Sequence, residues 1–542
     1  MTRRHAPRAG AVAGLLALAV ASATTIAAAG QDAPVRRDID AYVGQANRMY
    51  NVEAIVPPQC YTKHAGKHNP CYTCHQTYTD DDRPNYMADQ NLQSEYAFSE
   101  IGVTNHWKNL FVDRSKAVAE VSDREILDYI REDNYSGLDD RLADSDWRGY
   151  VPDLKNLDQG AAAFGPNGFA RDGSGWVAFN YKPLPSTFWP TNGSTDDVLI
   201  RLPEPFQETA AGKDSRDVYM ANLAILEAAM KELDQVSVPA TDETAVGVDL
   251  NGDGEIATAY KVRRRARYLG GASDTEVDPM LYPQGTEFLH TVRYVGVDGE
   301  EIRNARRMKE LRYMRKIRKY DRPQLASLYG NEHQEKLEGN LPRFVDTGGG
   351  LDNGMGWIVS GFIENAQGEL RPQTREETKF CMGCHGSIGA TLDQTFAFPR
   401  KVTGADGWGY IDLRGMKDAP SRIGPGEGEI LTYLKRVGGG DEFRRNAEMR
   451  RRWFDDDGAL KTQKVKQASV YELITPSRER ALKLNKAYRA IVREQSFIYG
   501  RQPTVKPADN VYREVDPETA PTLPEDKVFD YDIRLDWRSV RD

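Results

Sequence analysis

Two five-residue segments, 71–75 and 381–385, carry cysteine and histidine at a spacing that could do chemistry. Both fit the pattern C-x-x-C-H, which attaches a c-type haem. Two thiols three positions apart can form thioethers with the vinyl groups of one porphyrin, and the histidine that follows can ligate the iron from below. The pattern therefore predicts two covalently bound haem groups, held by Cys71, Cys74, His75, Cys381, Cys384 and His385.

The same cysteine spacing has other uses. Thioredoxin-like redox pairs and zinc sites also contain C-x-x-C. A zinc site built from all four thiolates would leave both adjacent histidines without a role, so the haem interpretation is favoured. The fifth cysteine, Cys60, begins a segment that repeats the first motif with Lys63 in place of the second cysteine. We interpret this repeat as decay or coincidence rather than as a third haem.

A haem iron has a sixth coordination position, and its occupant separates electron transfer from catalysis. His64 and His68 stand just before the first motif, in a segment that favours a loop. His290 lies within an apolar segment, where a satisfied core histidine is the alternative. Met416 follows a segment with glycine and proline, and a core methionine is the alternative there. The sequence predicts these four side chains as candidate distal ligands.

Residues 249–256 resemble the first half of a calcium-binding loop. Asp249, Asn251 and Asp253 supply oxygen donors at positions 1, 3 and 5, and Gly254 stands at position 6. Position 12, which normally holds a bidentate glutamate, is Tyr260. The segment therefore predicts either a calcium loop completed by a distant acid or a plain Asp/Gly turn.

The N-terminus has the features of an export signal. A basic start is followed by an apolar run over 11–29 and then by small residues, so residues 1–30 are interpreted as a cleaved signal peptide. No cysteine follows the run directly, which disfavours a lipid anchor, and no later segment predicts a membrane span. We expect a periplasmic or otherwise exported protein that is soluble after cleavage. The net charge of −9 argues against nucleic acid as a partner.

The chain divides into four predicted regions. The signal peptide occupies 1–30, an N-terminal haem region 31–150, a central α+β region 151–345, and a C-terminal haem region 346–542 with a long helix and an extended tail. The predicted fold class is α+β, with two mainly helical, cytochrome c-like haem regions flanking a mixed α/β centre.

Local patterns place the elements that would position these residues. Apolar and β-branched runs predict strands over 176–181, 198–202, 256–268 and 288–297, and a hairpin from 357. Helical spacing predicts helices over 123–132, from Ser215, over the strongly basic segment 303–320, over 378–384, and over 476–499 with Thr475 as N-cap.

Through its two C-x-x-C-H motifs the chain resembles the c-type cytochromes. The resemblance implies covalent haem, an exported location and electron transfer between other redox proteins. Two haem motifs together with a candidate calcium loop also resemble the di-haem peroxidases, in which one haem supplies electrons and the other reduces peroxide at an open iron. The expected function is a di-haem electron carrier, with a peroxidase-type oxidoreductase as the alternative. Whether the protein is an enzyme stays open, and no catalytic residue or oligomeric state is predicted.

Overall fold

The computed structural model describes most of the chain beyond the N-terminus. The described residues are 51–63, 86–87, 90–91, 101–186, 188–338, 340, 343–386, 389–438, 446–516 and 532–540. The predicted signal peptide, the first C-x-x-C-H motif with Cys71, Cys74 and His75, and the candidate ligands His64 and His68 all lie outside them.

An eight-stranded antiparallel sheet forms the centre of the structure. Its strands run in the order β3-β4-β7-β8-β11-β10-β9, and β12 pairs with β11. Two short hairpins, β1-β2 and β5-β6, stand apart from it. The strands are β1 (Tyr86–Met87), β2 (Gln90–Asn91), β3 (Val177–Ala178), β4 (Thr195–Arg201), β5 (Gln235–Asp242), β6 (Thr258–Arg263), β7 (Glu287–Asp298), β8 (Glu301–Lys316), β9 (Val345–Asp346), β10 (Leu351–Asp352), β11 (Trp357–Glu364) and β12 (Leu370–Pro372).

Helices cover both faces of this sheet, and short 3-10 turns connect them. They are α1 (Ser115–Glu120), α2 (Asp123–Arg131), α3 (Leu138–Ala143), α4 (Arg216–Lys231), α5 (Glu243–Val246), α6 (Arg322–Leu337), α7 (Arg375–His385), α8 (Glu429–Val437), α9 (Ala447–Trp453), α10 (Thr462–Gln467), α11 (Val470–Ile474) and α12 (Arg478–Glu494). Within the described ranges no helix is long and apolar enough to cross a membrane.

The longest hairpin, β7-β8, corrects one prediction from the sequence. The basic helix expected over 303–320 is wrong, because Glu301–Lys316 is strand β8. Asp298 pairs with Glu301, so the connection has two residues, and Gly299 takes the positive φ of 60° that such a tight turn requires. Of the arginines that suggested a solvated helix face, Arg303, Arg306 and Arg315 are exposed. Arg307 is buried and pairs with Glu364 on β11.

The two faces of the sheet pack differently. Leu289, Leu311 and Phe362 point to one face, where they contact the segments between Tyr135 and Ala178. Val198, Phe288, Met314 and Val359 point to the other face, where α4 and α7 cover them. Cys381 and Met382 of α7 belong to that second core. The second predicted motif therefore lies against the sheet, on the face that we call the α7 face.

The start of α7 is fixed by a capping box. The Thr374 hydroxyl accepts a hydrogen bond from the Glu377 N–H at 3.2 Å, and the Glu377 carboxylate accepts one from the Thr374 N–H at 2.8 Å. Arg371 of β12 donates to both oxygens of Glu377, at 2.8 and 2.9 Å. The helix predicted over 378–384 is confirmed, and its direction over the sheet is set by this pair.

The remaining sequence predictions have mixed outcomes. The helix from Ser215 is confirmed, and the Ser215 hydroxyl accepts from the Val218 N–H. The helix predicted over 476–499 is shorter: Ser477, not Thr475, is its N-cap, and Gln495 ends it with φ 50°. The mixed α/β class with a large sheet is confirmed. The cytochrome-like flanking arrangement is not confirmed, because β11 from beyond the predicted boundary at 345 pairs with β8.

Candidate functional site

The register of the sheet places His290 and Arg312 side by side on the α7 face. His290 of β7 pairs directly with Arg312 of β8, and Arg312 pairs on its other side with Gly361 of β11. Directly paired residues have Cβ atoms about 5 Å apart and point to the same face. Gly361 has no side chain, and the Gln373 side chain packs against it in the place that a Cβ would take.

Arg312 uses only part of its hydrogen-bonding capacity. Its Nε donates to Glu310 Oε2 at 2.9 Å, and its guanidinium carbon lies 5.2 Å from the ring centre of Phe188 and 5.8 Å from that of Phe380. Among the described residues neither Nη1 nor Nη2 has a hydrogen-bond partner. The side chain is 15% exposed. Two charge-assisted donors of a mostly buried guanidinium are therefore available to a ligand.

The single carboxylate of Glu310 is shared by two arginines. Its Oε2 also accepts from Arg501 Nη1 at 2.8 Å and from Gln373 Nε2 at 3.2 Å. Burial by itself raises the pKa of this carboxyl, but Arg312 and Arg501 together hold it at about 2. Glu310 therefore stays ionised, and it is too heavily shared to occupy the outer nitrogens of Arg312.

Helix α7 brings a thiol and an imidazole to the same place. Burial raises the pKa of the Cys381 thiol, and Arg312 and Arg501 offset part of that increase. Burial lowers the pKa of His385 to about 4, and Arg312 and His290 act in the same direction. His385 Nδ1 lies 3.0 Å from the Gln394 carbonyl oxygen, which can only accept, so Nδ1 carries the proton. We call His290, Glu310, Arg312, Cys381 and His385 the Arg312 cluster.

A hydrogen-bonded chain holds His290 in place. His290 Nε2 lies 3.2 Å from Asp196 Oδ2, and the same oxygen accepts from the Tyr181 hydroxyl. The edge of the Phe188 ring packs on the imidazole, with ring centres 5.0 Å apart. Phe188 has a φ of 54°, an uncommon backbone conformation for a bulky residue, of the kind that concentrates at functional sites. One ring thus contacts both His290 and Arg312.

The structure unites only some of the residues singled out from the sequence. Cys381, His385 and His290 lie together, and half-buried Cys384 is on the same helix. Met416 lies in a different hydrophobic cluster with Trp189 and Ile430, so its role is core packing. From the sequence, Arg312 stood out only as part of the basic segment 303–320, and Glu310 and Asp196 did not stand out. A strand interpretation of 301–316 would have placed Glu310 and Arg312 on one face, because side chains alternate along a strand.

The Asp249 loop is a turn. The Asp249 carboxylate accepts from the N–H groups of Gly252 and Gly254, at 2.5 and 2.9 Å, and Asn251 donates to Asp253 at 2.8 Å. These oxygens are therefore engaged by the loop itself. In the part of the chain that the structure describes, no group of three or more His, Cys, Asp or Glu could hold a metal ion. The calcium expectation is wrong.

Comparisons with known proteins place the chain. A family model with the description "-like lipoprotein" matches residues 45–472. An uncharacterized lipoprotein of Aquifex aeolicus (strain VF5) is 33% identical over 522 residues, which cover 84% of this chain and 86% of the relative. No solved structure matches. The chain belongs to this lipoprotein family, and it is an exported protein.

This membership overturns the functional predictions from the motifs. Identification as a di-haem c-type cytochrome is wrong, and so are the electron-transfer function, the peroxidase alternative and the haem cofactors. The expected redox partners have no support in these comparisons. The family match extends over hundreds of residues, whereas the cytochrome resemblance rested on two motifs of five. The described motif also has a structural explanation, since Cys381 and Met382 are core residues that pack α7 on the sheet.

Proposed function

We propose that the protein binds an anionic small molecule, with the ligand's carboxylate on the outer nitrogens of Arg312. The observation that carries the proposal is that Arg312 is mostly buried and yet leaves Nη1 and Nη2 unpartnered within the described structure. The 15% exposure of the side chain gives a ligand access to these two donors. A planar carboxylate matches two parallel N–H donors.

The surroundings of Arg312 define the rest of the ligand. Phe188 and Phe380 lie against the guanidinium, and the Cys381 thiol is buried beside it. These groups offer apolar contact and a ring face, with few further hydrogen bonds. The expected ligand is therefore a carboxylate that carries an aromatic or apolar body.

Isothermal titration with benzoate tests this function. Benzoate should bind the wild-type protein, whereas its neutral isostere benzamide should bind much more weakly. Arg312→Met should raise the Kd for benzoate roughly tenfold to a hundredfold, because a charge-assisted pair of hydrogen bonds contributes about 1.5–3 kcal/mol. The proposal fails if benzoate and benzamide bind alike, or if Arg312→Met binds benzoate as the wild type does.

Arg303→Met is the matched control. Arg303 lies on the same strand, is 59% exposed and pairs with Asp298 at the hairpin turn, far along β8 from Arg312. Its replacement removes the same charge from the same strand, so it should leave the affinity for benzoate unchanged.

The location of the mature protein after export is a separate proposal. We propose that the mature chain is soluble after residues 1–30 are removed. No cysteine stands between residue 30 and Cys60, so the end of the predicted signal offers no thiol for a lipid. Membrane fractionation of the expressed protein tests this: recovery in the soluble periplasmic fraction is expected, and recovery with the membranes would contradict it.

A further inference from the structure

We infer that His290 selects the ligand by accepting a hydrogen bond from a hydroxyl group on the carbon next to the carboxylate, so that the ligand is a 2-hydroxy acid. The inference rests on the proposed function, because it assumes that the carboxylate lies on Arg312. It adds the class of carboxylate and the residue that distinguishes this class from simple carboxylates.

His290 lies beside Arg312 on the α7 face of the sheet. His290 and Arg312 are directly paired across β7 and β8, so their Cβ atoms are about 5 Å apart on one face. Phe188 contacts both side chains, with its ring 5.2 Å from the guanidinium carbon and 5.0 Å from the imidazole centre. A carboxylate on the Arg312 guanidinium therefore lies on the same face of the sheet as the imidazole, with the Phe188 ring against both side chains.

The contact between His290 and Asp196 indicates which ring nitrogen carries the proton. Asp196 Oδ2 lies 3.2 Å from Nε2, and an ionised carboxylate can only accept, so Nε2 carries the ring proton. In its neutral form an imidazole with the proton on Nε2 presents Nδ1 as an acceptor. Nδ1 has no partner among the residues described, and the side chain is 21% exposed. A lone pair aimed at a ligand is completed by a hydroxyl donor and not by a second acceptor.

Tyr181 holds Asp196 in place and so keeps the His290 ring oriented. Its hydroxyl donates to the same Asp196 oxygen, and both Tyr181 and Asp196 are buried. Asp196 is thereby fixed on the far side of the imidazole, and the ring is held in one orientation. Asp196 and Tyr181 are positioning residues, and of these three side chains only His290 would touch the ligand.

Titration with two matched probes tests the inference. Mandelate and phenylacetate share the phenyl ring and the carboxylate, and only mandelate carries the 2-hydroxyl. Mandelate should bind the wild-type protein roughly fivefold to tenfold more tightly, as one added hydrogen bond predicts. In His290→Phe this difference should disappear, because the lost bond serves only the hydroxyl. Arg312→Met should weaken both probes.

The outcomes separate this inference from the function on which it rests. If both probes bind the wild-type protein equally, the 2-hydroxyl is not read and the inference is overturned while carboxylate binding stands. If neither binds, carboxylate binding itself fails. Because His290→Phe could misfold, nitrogen-15 NMR of labelled histidine in the wild-type protein provides a second measurement. The Nδ1 resonance of His290 should shift with mandelate and not with phenylacetate, and an unchanged resonance would overturn the inference.

Discussion

Arg371 and Arg312 lie on the same face of the same sheet, and they are used in opposite ways. Arg371 is fully buried, and each of its nitrogens has a partner: Glu377, the Pro372 carbonyl oxygen and Gln495. Arg312 bonds Glu310 through Nε alone and keeps some exposure. An arginine whose nitrogens all have hydrogen-bond partners therefore holds the fold together, whereas an arginine with two outer nitrogens to spare is available to a ligand.

The largest expected effect is the loss of the saturated arginine. Arg371→Met leaves the Glu377 carboxylate buried without its bidentate partner and weakens the anchor of α7 on β12. The free energy of unfolding should fall by about 3–5 kcal/mol, the usual cost of breaking a buried pair. Urea denaturation followed by circular dichroism measures it. A loss below about 1 kcal/mol would show that Arg371 is not a structural arginine and would contradict its contrast with Arg312.

A second prediction concerns the stability of the folded protein in acid, which depends on the Glu310 carboxylate beside Arg312. The pKa of Glu310 lies near 2 in the folded protein against an ordinary value of 4.5. A lowered pKa stabilises the folded state above the ordinary value, and that contribution is lost as the pH falls from about 4.5 toward 2. It amounts to about 3 kcal/mol.

Glu310→Gln removes this titration. Denaturation curves collected at several values between pH 5 and pH 2 should therefore fall less steeply for the variant than for the wild type. Parallel curves for the two proteins would contradict the assignment of Glu310 as the carboxylate shared by Arg312 and Arg501.

The smallest expected loss of stability is that of Arg312→Met. Arg312→Met should lower the free energy of unfolding by less than Arg371→Met does, because Glu310 keeps Arg501 and Gln373 as donors. The same variant should lose affinity for benzoate. Stability and binding would then be separated in one residue. A loss of stability as large as that of Arg371→Met would mean that Arg312 serves the fold.

Part of this architecture could be predicted from the sequence because the signals are local. The serine cap of α4, the apolar run of β7 and the short helix at the second motif depend on neighbouring residues, and all three are confirmed. Strand β8 was missed because arginines at helical spacing suggest a solvated helix. Their partners, such as Glu364 for Arg307, stand far away in the chain, and no local window contains both.

The chemistry of the site follows the same division. A five-residue motif suggested haem because thiols and an imidazole stand at suitable spacing, yet the pattern does not encode what surrounds them. In the fold Cys381 is a core residue, and the groups able to meet a ligand are Arg312 and His290, on two paired strands. Their proximity depends on the register of a hairpin.

The amino-acid sequence alone determined the acidic charge and most of the local elements. Only the tertiary structure decided which charged side chains are saturated and which are open. Hydrogen-bond saturation is a property of packed neighbours. Arg371 and Arg312 are the same residue type, and they differ because the fold surrounds Arg371 with acceptors, whereas the described residues place none at the outer nitrogens of Arg312.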